Sequence, residues 1–448
     1  MFKSRFNPSQ ILLLGFTGII GAGTVLLKLP VATRHGISLV DALFTATSAV
    51  CVTGLIVKDT PLDFTLFGQM VILLLIQIGG LGYMTSTTLI FLMMGKRIGI
   101  KDRFLIKESM NLMGMEGVVR FIRHVLAATF VIELLGSLLL FLCFLPHMPW
   151  QRAVYYGVFH AISAFNNAGF SMFSENLMKF KTDVGVNLII SLLIIAGGIG
   201  FLVLWELKNR WNLRAKDREL LSMHAKTVLA ATGLLIFAGA ALILLFERNN
   251  PDSMAGLSLP HQLLTAFFAS VTARTAGFNT LDYASLTPET LFLTILLMFV
   301  GASPGGTGGG VKTTTMAVVL AGMFATIRGE EQTVLFKRAV PLDITSKSLL
   351  IVVLGAIFVV LASMFILHFE NGRYLSILFE VTSAIGTVGL SVGDGGVRSL
   401  SATFSPLGKL IISFIMLAGR VGPLTLACAF FEQRGRRYRY PEGRIAIG

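Results

Sequence analysis

A chain of 448 residues that is 54% hydrophobic and only 14% charged falls far from the roughly 25% charged residues of soluble domains, which excludes a water-soluble globular fold. Its net charge of +13 is gathered in alternate loops rather than on one face, a pattern of membrane topology and not of a nucleic-acid surface. Cys51, Cys143 and Cys428 are too scattered for a disulfide framework or a zinc site and read as apolar fillers, and neither a His-Glu-x-x-His pattern nor a carboxylate pair at acid–base spacing occurs, so no enzyme is expected.

In chain order, eight apolar segments approach the ~20 residues that a spanning helix needs: 10–30, 66–94, 124–146, 185–206, 225–247, 290–325, 347–368 and 405–431. The first follows directly on MFKSRFNPSQ with no small-residue cleavage site behind it, so no removable signal peptide is expected. Residues 1–9, 95–125, 206–226, 328–347 and 432–448 hold 24 Lys and Arg, whereas the intervening 29–65, 147–180, 248–289 and 369–404 hold 8. By the positive-inside rule the first set, and with it both termini, is cytoplasmic.

Within the intervening loops one motif recurs: DALFTATSAVCVTGL from Asp41, VFHAISAFNNAGFS from Val158, AFFASVTARTAGFN from Ala266 and FEVTSAIGTVGLS from Phe379. Its glycines, Gly54, Gly169, Gly277 and Gly389, lie 115, 108 and 112 residues apart. The apolar stretch before each glycine is too short to cross a bilayer and must re-enter. Irregular backbone at that depth is tolerated only where it is buried in protein or lines water. Each repeat holds two spans, so all four start on the same side and pack in parallel about an axis along the membrane normal. The expected fold is therefore an all-α polytopic membrane protein with four helix, re-entrant loop, helix repeats around a central pore. Its divisions are a cytoplasmic N-terminus (1–9), repeats at 10–123, 124–224, 225–346 and 347–431, and a cytoplasmic tail (432–448).

A cation in a narrow pore exchanges water for backbone carbonyls, and glycine lets successive carbonyls turn inward. The candidate filter is Val52, Thr53 and Gly54; Asn167, Ala168 and Gly169; Thr275, Ala276 and Gly277; and Thr387, Val388 and Gly389. The side chains differ between copies while glycine is shared, as expected if the backbone binds the ion.

The second spans carry small-residue clusters, Gly79 to Gly82, Gly197 to Gly200 and Ala418 to Gly422, and close helix contact explains the first two. In the third repeat the cluster expands to Gly301, Ala302, Ser303, Pro304, Gly305, Gly306, Thr307, Gly308, Gly309 and Gly310, and Lys312 follows. Glycine costs about 1 and proline about 3 kcal/mol in a helix interior, so this span alone is expected to break. The break reads as a gate beneath Gly277, with a static kink as the alternative. Lys312 lies beside it; GGTGGGVKT resembles a phosphate loop, but Val311 separates Gly310 from Lys312 and a span precedes it, so nucleotide binding there is set aside.

Two charges lie within spans, each costing about 2.5 to 3.5 kcal/mol if unpaired. Arg420 is placed below the filter, either narrowing the cytoplasmic half of the pore as part of the gate or pairing within the bundle. Glu133 reads as an interhelical hydrogen-bond partner rather than as transport chemistry.

On ISAFNNAGFS, TARTAGFN, IGTVGLS and the interrupted sixth span, the chain resembles Ktr-type potassium uptake membrane subunits of the Trk/Ktr/HKT superfamily. The resemblance covers essentially the whole chain. It implies potassium as the transported ion with no covalent cofactor, a homodimer with a pore in each subunit, and control by a cytoplasmic nucleotide-binding ring. It also implies residence in the cell membrane, with lipid and no nucleic acid as surroundings. Only Gly386-Thr387-Val388-Gly389 approaches the filter sequence of tetrameric potassium channels. Selectivity over sodium, and a sodium- or proton-coupled symporter, stay open.

Overall fold

The structure is a computed structural model that describes residues 8–82, 118–212, 221–393, 395 and 397–430. The basic segment at 95–117, residues 213–220 and the tail at 432–448 lie outside the described residues.

Four long apolar helices, Pro8–Lys28, Val118–Phe144, Met223–Glu247 and Leu342–Phe369, are long enough to cross a membrane and are called outer helices 1 to 4. Most of their side chains face outward: Phe130, Leu134, Leu138, Phe237 and Phe365 are all exposed, as a lipid-facing surface requires. After each comes a shorter helix, pore helices 1 to 4: Leu39–Val50, Trp150–Phe165, Leu259–Thr272 and Tyr374–Gly386. Inner helices follow, beginning with Leu66–Leu81, Val184–Gly198, Pro288–Phe299 and Pro406–Val421.

Each inner helix opens on a capping side chain that accepts from the amide three residues on. The caps are Thr65, Asp183, Thr287 and Ser405. Satisfying an orphan N–H in this way fixes where the helix starts. Fourteen residues after each cap stands a glycine: Gly79, Gly197, Gly301 and Gly419. At the first, second and fourth, a Cβ would lie 2.0, 1.8 and 2.0 Å from the carbonyl oxygen of Val50, Phe165 and Ile385, at or beside the end of the same repeat's pore helix. Only glycine allows the two helices to approach so closely.

The expectation of a single broken span is corrected here. Three residues beyond those glycines, Gly82, Gly200 and Gly422 adopt φ of +81°, +92° and +92°, a conformation that ends an α-helix. The segment expected as one span at 185–206 is two helices, Val184–Gly198 and Phe201–Asn212, meeting at 102°. That at 405–431 is likewise Pro406–Val421 and Pro423–Phe430 at 99°. Each break falls at a left-handed glycine: Gly422 is followed directly by Pro423 at the first position of the next helix, and Gly200 ends the cluster Gly197-Gly198-Ile199-Gly200.

In the third inner span the helix stops at Phe299 and resumes as Thr313–Ile327. The chain between is closed at its neck: Gly301 donates to Val311 O (2.9 Å) and Val311 to Phe299 O (3.3 Å). A short hairpin, Val334–Leu335 with Arg338–Ala339, then leads into outer helix 4.

Inner helix 1 packs on pore helix 2, inner helix 2 on pore helix 3, inner helix 3 on pore helix 4, and inner helix 4 on pore helix 1. That last contact carries a half-buried ion pair of 2.8 Å between Lys409 and Asp41.

Candidate functional site

The four pore helices end where the glycine motifs begin, so their C-terminal carbonyls, the negative ends of their dipoles, converge on one place. Each chain then makes the same backbone turn. Val52, Asn167, Thr275 and Thr387 have φ of +56°, +57°, +70° and +49°, and two residues later Gly54, Gly169, Gly277 and Gly389 have φ of +91°, +70°, +75° and +94°. Left-handed backbone is a true outlier for the β-branched Val52, Thr275 and Thr387, and costs about 1 to 3 kcal/mol at each. Strain repeated four times at equivalent places is a feature of the site.

The glycines are in contact around a closed ring. A Cβ on Gly54 would meet Ala168 O at 2.5 Å, one on Gly169 would meet Ala276 O at 2.9 Å, one on Gly277 would meet Val388 O at 2.4 Å, and one on Gly389 would meet Thr53 O at 2.2 Å. All twelve candidate filter residues are thus brought together; eleven are buried and Gly389 is half-buried. Hydroxyls at the pore-helix ends brace the turns. Ser48 and Ser383 accept from the amides of Gly54 and Gly389 at 3.1 and 3.0 Å. Ser163 and Thr272 donate to the carbonyls of Phe170 and Phe278 at 2.8 and 2.6 Å.

On one side of the ring lies a cavity of about 40 Å³, floored by the four glycines and walled by residues that follow them, including Asp59, Ser171, Asn279, Ser391 and Arg398. Burial pushes the Asp59 carboxyl above its ordinary range. The excursion of inner span 3 lies on the opposite side, against the residues that precede the glycines. Thr307 donates to Phe165 O (3.1 Å), Gly309 donates its amide to the Thr387 hydroxyl (3.0 Å), and Gly308 leaves no room for a Cβ beside Thr275 Oγ1. Thr275 is paired in turn with the Asn167 amide at 3.3 Å.

Two cations hold this excursion. Arg420, on inner helix 4, donates to Thr307 O and to Gly79 O, with a longer contact of 3.4 Å to Gly80 O. Lys312 donates to Gly308 O at 2.7 Å. Arg420 thereby ties inner helix 4 to the carbonyls of two other elements, the excursion and inner helix 1, and pairs within the bundle while sitting beneath the ring. Of the remaining candidates, Ser303 shares a hydrogen bond of 2.7 Å with Thr313, and Gly200 lies against Pro304 O, where a Cβ would fall at 2.5 Å. Glu133 stands apart from the ring's axis. Its two oxygens accept from Asn166 (2.9 Å) and Gln77 (3.3 Å), linking outer helix 2, pore helix 2 and inner helix 1.

A family model, TrkH, described as a cation transport protein, matches residues 15–435. The chain belongs to the TrkH family of cation transport proteins. It is 42% identical over 446 residues to Ktr system potassium uptake protein B of Bacillus subtilis, covering 99% of this chain and 97% of that one. With the potassium/sodium uptake protein NtpJ of Enterococcus hirae it shares 36% identity, covering 100% of this chain and 98% of that one. The crystal structure of the potassium transporter TrkH from Vibrio parahaemolyticus has the same fold, with a TM-score of 0.74 at 18% identity over 96% of this chain and 86% of that one.

Several residues of this TrkH-family chain that stand against the ring carry no motif of their own in the sequence. Arg274, immediately before the left-handed Thr275, is buried and reaches the Thr232 hydroxyl at 3.4 Å. His160 and Glu380 are fully buried in pore helices 2 and 4. Each lies nine residues before its glycine, a spacing that an alignment of the four repeats would have exposed.

Proposed function

We propose that the chain conducts potassium into the cell through a pore on the axis of the glycine ring, with four parallel repeats of two spans each around it. The carbonyls of residues 52–54, 167–169, 275–277 and 387–389 form the selectivity filter. The observation that carries this reading is the cyclic contact of the four glycines, each against the next repeat's carbonyl, with the strained turn repeated in every copy. Carbonyl dipoles held in that way replace an ion's water, and four pore-helix C-termini add negative potential at the same point.

Residues 301–310, with Lys312, are the gate. In the state described, the loop plugs the pathway beneath the ring, held by Arg420, by the Thr387 hydroxyl and by Phe165 O. Opening exchanges those contacts for water or for the pore wall, which a glycine-rich segment can do at low cost. The basic segments on the side assigned to the cytoplasm dock a regulatory partner, a nucleotide-binding ring. The functional unit is a homodimer in the cell membrane, with both termini in the cytoplasm. The relatives named for Ktr systems support a partnered subunit rather than a solitary one.

A second reading, potassium uptake coupled to sodium or protons, draws support from the relative named for potassium and sodium together. Coupling would need a carboxylate within the spans, and Glu133 already receives amide donors on both oxygens, which favours a structural role.

Gly389→Ser tests the filter. A Cβ there would lie 2.2 Å from Thr53 O on backbone with φ of +94°. Potassium preference, and with it rescue of potassium-limited growth, is expected to fall by more than protein level does. Normal rescue at normal abundance overturns the assignment.

A further inference from the structure

The exit strands above the glycine ring are secured in two different ways. In repeats 2 and 4 the residue two places after the glycine is a serine, Ser171 or Ser391, and a fully buried side chain of the same repeat's pore helix binds it. His160 Nδ1 faces the Tyr156 carbonyl at 2.7 Å and must therefore carry the proton. Its Nε2 is then the acceptor, and lies 2.9 Å from the Ser171 hydroxyl and 3.4 Å from the Met172 amide. Glu380 accepts from the Ser391 hydroxyl with one oxygen and from the hydroxyl and amide of Ser401 with the other. Ser391 accepts in turn from the Leu400 amide at 2.8 Å.

Repeats 1 and 3 have no such tie of their own. The equivalent pore-helix positions are Thr45 and Phe268, and the exit residues are Ile56 and Asn279. Their backbones lean on neighbours. Ile56 donates to the Ser399 hydroxyl (2.8 Å) and accepts from the Ser399 amide (3.0 Å), two residues from Ser401 on Glu380. Asn279 O accepts from the amide of Leu177 (3.0 Å), in the chain that continues from Ser171 and Met172. Ser163 and Thr272 hold the residue directly after the glycine in repeats 2 and 3, but at the residue beyond it the ties run to two buried groups in alternate repeats.

We propose that His160 and Glu380 are positioning residues that fix the width of the filter at its outer end, Glu380 for loops 4 and 1, His160 for loops 2 and 3. The inference rests on the reading of the four loops as the filter. Neither side chain touches the ion. Each holds the strand that leaves the glycine, and so holds the carbonyl ring against collapse or widening. The division of labour has a specific consequence. Loosening the Glu380 tie transmits to Ile56 through Ser399, whereas the His160 and Glu380 ties act on separate pairs of loops.

The test is the potassium to sodium permeability ratio from reversal potentials in reconstituted bilayers, with total conductance and protein abundance recorded beside it. Ser171→Ala and Ser391→Ala each remove one tie while Glu380 keeps both of its bonds from Ser401, a smaller disruption than Glu380→Leu, which leaves the Ser391 and Ser401 donors without their acceptor. Each is expected to lower the ratio about fivefold, the effect of one lost hydrogen bond, at unchanged abundance. Glu380→Gln, which still accepts from Ser401, is expected to retain more of the ratio than Glu380→Ala. Ser399→Ala combined with Glu380→Gln is expected to cost less than the product of the single losses, because both act through one strand. Ser171→Ala with Ser391→Ala is expected to multiply. Gly389→Ser is the control: if it lowers the ratio while the serine variants leave it intact, the positioning role is overturned and the filter stands. If Gly389→Ser also leaves the ratio intact, the filter reading itself is lost.

Discussion

The third inner span and its three counterparts begin alike and end differently. All four open on a hydroxyl or carboxylate cap, and all four place a glycine fourteen residues later. In repeats 1, 2 and 4 that glycine is pressed on a carbonyl at or beside the end of its own pore helix, and the chain turns once at a left-handed glycine. In repeat 3, Gly301 is pressed instead on Gly309 O, within the loop's own return. The breaks in repeats 2 and 4 are locked by backbone against backbone. That in repeat 3 has backbone bonds too, from Ser303 to Gly198 O, Thr307 to Gly197 O and Phe201 to Gly305 O, and adds side-chain ties through Arg420 and Thr387 that can be exchanged. A break in a helix is therefore not by itself a gate; what matters is whether its contacts are interchangeable.

The largest effects are expected where backbone meets backbone. Gly197→Ala would set a Cβ 1.8 Å from Phe165 O, with no flexible side chain to yield. A loss of about 3 kcal/mol or more is expected, read as absence of folded protein after detergent extraction. Gly21→Ala, with nothing within 4 Å of its Cβ position, is expected to leave abundance unchanged. If both behave alike, the contrast between locked and open glycines fails.

Deleting Gly305 to Gly310 removes the movable part of the third span. Potassium flux in proteoliposomes is expected to rise and to depend less on the cytoplasmic partner. Flux unchanged or lower from a well-folded deletion would leave the segment a static kink. Arg420→Ala removes charged hydrogen bonds to Thr307 O and Gly79 O, each worth about 1.5 to 3 kcal/mol. Since Thr387, Phe165 and Lys312 still hold the loop, a smaller rise than the deletion gives is expected, roughly ten- to hundredfold in the open fraction. The smallest effect concerns the partner. Truncation from Arg434 onward is expected to weaken co-purification with a cytoplasmic ring while thermal stability stays unchanged. High-affinity nucleotide binding by this chain alone would contradict a separate regulator.

Much of this contrast was legible in the residues. Gly54, Gly169, Gly277 and Gly389 recur because the turn favours glycine, at nearly equal intervals because the repeats are of similar length, and the loop at 301–310 declares itself through Pro304 and its glycines. Glu133 could be read as an interhelical partner because a lone carboxylate in an apolar helix needs donors nearby. The bends at Gly200 and Gly422 were read as packing sites, since a cluster of small residues also suits close helix contact until φ is known, although Pro423 directly after Gly422 was a local signal for the second. Hidden too were the left-handed Val52, Thr275 and Thr387, where β-branched side chains argue against the conformation that tertiary contacts impose. Which glycine touches which carbonyl depends on the order of repeats around the ring, and no local pattern encodes that order.

The central claim is that the ring of Gly54, Gly169, Gly277 and Gly389 passes potassium as a selective pore. Reversal potential in a reconstituted bilayer, under crossed potassium and sodium gradients, tests it most directly. The account predicts a potential that follows the potassium gradient alone and shifts toward sodium in Gly389→Ser. A potential tied to both gradients in fixed ratio, and unmoved by that substitution, would contradict it.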